Sequence, residues 1–150
     1  MPRAKGERKL EILKALAQML EAPKCERITT AALAEKLAVS EAALYRHFAS
    51  KAQMFEGLIE FIEQSVFTLV QQIVGRDVPE EERPAVDGMR QASRVISLVL
   101  QFGERNPGMV RVMVGDAIVF EHERLQARMN QFFDRIESTL RQCLRPAAGA

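Results

Sequence analysis

Tryptophan is absent from this 150-residue chain, tyrosine occurs once, and there are only two cysteines. Cys25 and Cys143 stand far apart, with no Cys-x-x-Cys pair and no neighbouring histidine ligand. That pattern argues against a structural disulfide or zinc site and suits a reducing cytoplasm. No stretch reaches the ~18 uninterrupted apolar residues of a membrane span. The charged N-terminus MPRAKGERK is not followed by an apolar run of the signal-peptide kind. Together these absences predict a cytoplasmic protein without a membrane span. Catalytic chemistry finds no foothold either. His122-Glu123 opens like a zinc-protease helix motif, but Gln126 stands where the second histidine is needed. There is no Gly-rich phosphate loop, nucleophile elbow or isolated carboxylate pair, and Asp116, Glu121 and Glu123 read as a solvated face. No enzyme activity and no cofactor are predicted.

What is present is helical periodicity. With 47% hydrophobic residues the chain can bury a sizeable core. Apolar residues recur at helical spacing almost throughout, which predicts an all-α fold. The first helix is expected over about Lys5–Glu21 on Leu10, Leu13, Leu16, Ala17 and Leu20, ending near Pro23. A long helix should run from Lys51, capped by Ser50, to Val74. Its stripe is Met54, Phe55, Leu58, Ile59, Ile62, Val66, Leu69 and Ile73. A solvated loop over Gly75–Pro84 follows, then helices through Val95–Phe102, Met109–Phe120 and Glu123–Leu144, with a turn at Asn106-Pro107-Gly108. Leu125, Met129, Phe132, Ile136 and Leu140 share one face of the last. The net charge of +1 hides an asymmetry: residues 1–54 hold ten Lys/Arg against six Asp/Glu, whereas residues 55–150 hold eleven against fourteen. A cationic front half suits phosphate binding.

Residues 28–51, ITTAALAEKLAVSEAALYRHFASK, read as two short helices joined by a tight turn. Thr29 caps the first, with Ile28 and Leu33 placed as a hydrophobic staple, and Ser40 caps the second. Leu37, Ala38, Val39 and Ser40 form the turn; Leu33, Ala34, Leu37, Val39, Leu44 and Phe48 form the interior. The second helix keeps small and polar groups outside, so its N-terminal half can enter a DNA major groove. Thr29, Thr30, Tyr45 and Lys51 are the candidate phosphate contacts. Ser40, Ala42, Ala43, Arg46 and His47 are the candidates for base edges, the alanines against thymine methyls. His47 can equally buttress the turn.

The pattern Thr30-x-x-Leu33-Ala34, Val39-Ser40, Leu44-Tyr45-Arg46-His47-Phe48 and Lys51 resembles the TetR family signature. The blocks RITTAALA, VSEAALYRHF, MFEGLIEFIE, FGERNPGM and NQFFDRIESTLRQ are similar to the nucleoid-occlusion branch of that family. The resemblance implies a TetR-like fold, with a helix-turn-helix DNA-binding domain over residues 1–48 and a helical regulatory, partner-binding domain over 49–150. TetR-type proteins usually carry two more C-terminal helices that pair in a dimer. This sequence stops at Arg145-Pro146-Ala-Ala-Gly-Ala, so the 150-residue form is expected to lack them and to associate weakly. The full-length form is expected to be a homodimer on pseudo-palindromic duplex DNA.

The same resemblance implies a partner, the C-terminal tail of the tubulin-like division protein FtsZ. Phe61, Leu98, Arg105 and Asn106 match the groove that receives it. By helical geometry alone Phe61 lies ~110° from the centre of its helix stripe, outside the obvious core face, and Phe67 is displaced on the other side. Leu69 and Gln101 stand where better-known relatives carry Arg and Gly. The implied function is a nucleoid-associated, DNA-bound antagonist of FtsZ assembly that blocks septation over the chromosome. Two other readings stay open: a ligand-responsive repressor with Met89, Met109, Met113 and Phe120 lining an effector pocket, and an interaction module without DNA binding.

Overall fold

The computed structural model describes residues 6–22, 27–75 and 88–148, with side chains through Arg145. Lys5, Pro23, Cys25 and most of the loop expected over Gly75–Pro84 lie outside those residues. The described chain is helical throughout: α1 (Glu7–Leu20), α2 (Thr30–Lys36), α3 (Glu41–Tyr45), α4 (Lys51–Val74), α5 (Gly88–Arg105), α6 (Pro107–Met113), a 3-10 turn (Asp116–Ile118) and α7 (Glu123–Ala148). The all-α expectation holds, and no strand occurs among the described residues. By compactness the chain forms two units, residues 1–60 with 106–129, and residues 61–105 with 130–150.

In the first unit α1 packs on α2 and α6. Ile12, Leu16 and Leu20 of α1 are buried, as are Leu33, Leu44, Met54, Phe55, Leu58 and Ile59. The buried face of α1 is rotated from the expected one: Ile12 is core, whereas Leu10 is 38% exposed. Asn106 caps α6, and Pro107 occupies its first turn, where a missing N–H costs nothing. Gly108 then allows backbone-to-backbone approach, because a Cβ there would sit 2.0 Å from the Ala17 carbonyl oxygen.

The expected helix over Met109–Phe120 breaks after Met113. Val114 is its C-cap, and Gly115 adopts φ 92°, a left-handed conformation that glycine takes without steric cost. The chain resumes as the short 3-10 turn.

In the second unit α4 contributes Ile62, Val66, Phe67 and Val70 to the core, α5 contributes Ala92 and Val95, and α7 contributes Phe132, Ile136, Thr139 and Cys143. Two expectations are corrected here. Phe67 is buried, because the Phe132 ring meets it edge-on at 5.3 Å and the Arg135 guanidinium lies 3.9 Å from its centroid. Leu69 is 44% exposed, because the 62–66–70 row carries the stripe on through Val70 instead. The buried Thr139 hydroxyl donates to the Arg135 carbonyl at 2.9 Å, so this hydroxyl is not stranded. Burial pushes the Cys143 thiol up from its ordinary value, which keeps it protonated and inert. Helix α5 begins at Gly88, earlier than Val95, and α7 continues to Ala148 rather than Leu144.

Two substitutions test this packing by urea unfolding. Gly108→Ala should destabilise by about 2 kcal/mol, because the clash is with backbone that cannot rotate away. Ala38→Gly should stabilise by about 0.5–1 kcal/mol, because Ala38 is held at φ 55° in the left-handed region.

Candidate nucleic-acid interface and partner groove

The helix-turn-helix is built from three local devices. The Thr29 hydroxyl accepts from the Ala32 amide at 3.1 Å, and the Ser40 hydroxyl accepts from the Ala43 amide at 3.2 Å. Between them α2 ends in a double closure: the Ala38 amide donates to the Glu35 carbonyl, and the Val39 amide to the Ala34 carbonyl. This is the Schellman arrangement, which places Ala38 in the left-handed region. Leu33, Ala34, Leu44 and Phe48 are buried beneath, while Ile28, Leu37 and Val39 are half-buried. Ser50 caps α4 by accepting from the Gln53 amide.

The expected DNA contacts fall into distinct environments. Thr29, Ser40, Ala42, Tyr45 and Arg46 are exposed; Thr30, Ala43, His47 and Lys51 are half-buried. The Tyr45 hydroxyl donates to Thr30 Oγ1 at 3.3 Å, and the Thr30 hydroxyl donates to Glu41 Oε2 at 3.0 Å. This relay ties α2 to α3 and commits both protons. The cap hydroxyls of Thr29 and Ser40 accept within the fold and keep their own protons for an outside acceptor such as a phosphate oxygen. Arg46 makes no ion pair among the described residues.

Lys51 is not a free cation. Its Nζ lies 2.7 Å from Glu121 Oε1, and Arg27 Nε lies 3.3 Å from the same oxygen. Arg27 also donates to the Phe120 carbonyl at 3.3 Å. The Glu121 side chain is only 7% exposed. Glu121 is therefore no part of a solvated face, because two cations from distant sequence converge on it. Nearby, Glu56 pairs with Arg124 and lies 4.0 Å from Arg128. Arg111 donates to the Leu20 carbonyl at 3.0 Å and pairs with Asp116.

The second unit carries a groove of about 510 Å³ lined by Leu69, Gln72, Ile73, Arg90, Ser93, Arg94, Ser97, Leu98 and Gln101. Of the four expected partner residues only Leu98 lines it. Phe61 is half-buried on α4, Arg105 is exposed in the last turn of α5, and Asn106 belongs to the other unit as the cap of α6. Leu69 and Gln101, noted as departures, both line the groove. Arg90 and Arg94 did not stand out in the sequence. The signal was their register with 97, 98 and 101 on one helix face. The expected effector lining is not of one kind: Met109 and Met113 are core, whereas Met89 is 60% and Phe120 76% exposed.

Two stretches of the chain match known families. Residues 12–58 match the family described as bacterial regulatory proteins, tetR family, and residues 87–148 match the tetracyclin repressor-like C-terminal domain of SlmA-like proteins. The chain is 55% identical over 142 residues to the nucleoid occlusion factor SlmA of Photobacterium profundum, covering 94% of this chain and 68% of that protein. It is 52% identical over 147 residues to SlmA of a Marinomonas species, covering 98% and 71%. For SlmA of Idiomarina loihiensis the identity is 51% over 148 residues, covering 99% and 71%. At that identity and coverage, with the helix-turn-helix built as the geometry requires, the chain belongs to the SlmA family of nucleoid occlusion factors within the TetR-type proteins.

Proposed function

We propose that this protein binds specific duplex DNA as a nucleoid occlusion factor and, when bound, antagonises FtsZ assembly so that no septum forms over the chromosome. The DNA-binding role falls to residues 1–48, extended by Lys51, and the partner-binding role to residues 49–150. The protein acts as a homodimer on pseudo-palindromic sites, because a two-fold pair of recognition helices reads two half-sites. It works in the cytoplasm on the nucleoid. No helix among the described residues is long and apolar enough to cross a membrane.

The groove is the observation that carries the partner half of this reading. Leu69, Ile73 and Leu98 give it apolar wall, while Arg90 and Arg94 supply cations and Ser93, Ser97, Gln72 and Gln101 supply hydrogen-bonding groups. An extended peptide with apolar and acidic side chains fits that mixture, which is how a flexible tail docks. We infer that the FtsZ C-terminal tail is this peptide. Phe61 and Arg105, in the same unit, extend this surface in this reading, and Asn106 is a separate candidate contact on the first unit. The position held by arginine in better-known relatives is Leu69 here, and Arg94 supplies a cation from α5 in its place.

Two measurements test the two halves. Anisotropy with a labelled FtsZ tail peptide should show Arg94→Glu and Leu98→Asp weakening binding by about tenfold or more, as expected for groove anchors. Phe61→Ala and Arg105→Asp should weaken it too, and all four variants should keep DNA affinity within a few-fold. Unchanged peptide binding would reject the groove. On the DNA side, Ala43→Arg should block entry into the major groove. Lys51→Ala should weaken binding to all sequences and lower the salt slope by about one. A salt slope unaltered by Lys51→Ala would remove that residue from the interface.

A further inference from the structure

We propose that Glu121 is a positioning residue that sets DNA affinity, and that Arg27 is a further phosphate-contacting cation held with Lys51 until DNA takes both. This rests on the reading of residues 28–51 as the DNA-binding surface. Arg27 is two residues before the cap Thr29, and Lys51 opens α4 just after the helix-turn-helix. The two flank the segment in sequence and meet at one carboxylate oxygen, Lys51 at 2.7 Å and Arg27 at 3.3 Å. The three groups carry a net single positive charge.

The exposures show which end can move. Arg27 keeps 59% of its side chain in solvent and Lys51 21%, against 7% for Glu121. The cations have solvent to turn into, whereas the Glu121 carboxylate is enclosed. It follows α6 and the 3-10 turn and precedes His122, whose Nδ1 accepts from the Arg124 amide at 3.1 Å at the start of α7. A phosphate of the duplex offers the same charge-assisted hydrogen bonds as Glu121. The two therefore compete for the same donors, and every phosphate contact made by Lys51 or Arg27 is made against the Glu121 carboxylate. Without DNA, Glu121 also holds both long side chains at the edge of the helix-turn-helix and so limits their rotamer freedom.

The test uses the protein and a labelled duplex selected by the wild type from a random-sequence pool, titrated across salt concentrations. Glu121→Gln should tighten binding by about three- to tenfold near 0.1 M salt and steepen the salt slope by about one. The gain should shrink in the Lys51→Ala background and vanish when Arg27→Ala is added, since Glu121 then holds neither cation. Arg27→Ala, a change at an exposed side chain, should lower the slope by about one on its own. A purely structural Glu121 would behave otherwise: Glu121→Gln would lower the melting temperature and weaken binding at an unchanged slope. That result, or an unchanged slope for Arg27→Ala, would overturn the assignment while leaving the DNA-binding reading intact. Failure of the wild type to select any duplex would overturn the DNA-binding reading itself.

Discussion

Helices of seven and five residues do not persist in water by themselves, because nucleation costs more than so few hydrogen bonds return. The DNA-binding end of this protein is made of two such helices. It therefore depends on end effects: side-chain caps at Thr29 and Ser40 and the doubly closed turn through Ala38. Each satisfies backbone groups that the short helices cannot satisfy internally. The strain of a left-handed alanine is accepted because it sets the angle between α2 and α3. With that angle set, Leu33, Leu44 and Phe48 are buried and the small residues of α3 face out. The exposed surface follows from what the turn hides.

The second theme is the management of positive charge. A surface meant for phosphate must gather cations, and gathered cations repel one another in the absence of DNA. Ion pairs within the first unit relieve this. Glu121 serves Arg27 and Lys51, Asp116 serves Arg111, and Glu56 serves Arg124 and Arg128. All of these carboxylates lie outside residues 28–51. Residues 1–54 carry a net +4 and residues 55–150 a net −3, and Glu121 joins the two by pairing with Arg27 and Lys51. In the second unit Arg90 and Arg94 line a groove together with apolar, amide and hydroxyl side chains.

Much of this protein was legible in the sequence. Helix periodicity gave the class, and cap residues gave the starts of α2, α3 and α4 to the residue, because capping is a local rule that needs only a few neighbours. The family resemblance added the function and singled out Leu98, which lines a groove with the two departures Leu69 and Gln101, whereas Phe61, Arg105 and Asn106 do not line it. What local rules could not supply was any outcome settled by a partner far along the chain. Phe67 looked displaced until Phe132 and Arg135 covered it. Glu121 looked solvated until Arg27 and Lys51 reached it across 94 and 70 positions of sequence. The helix expected to continue to Phe120 stops at Met113, and Gly115 after its C-cap takes a left-handed φ. Sequence by itself determined where α2, α3 and α4 begin and which family the motifs resemble, since those depend on spacing along the chain. Only tertiary structure decided which cations are neutralised and which aromatic rings are buried, because charge pairing and burial act over distance in space rather than along the chain.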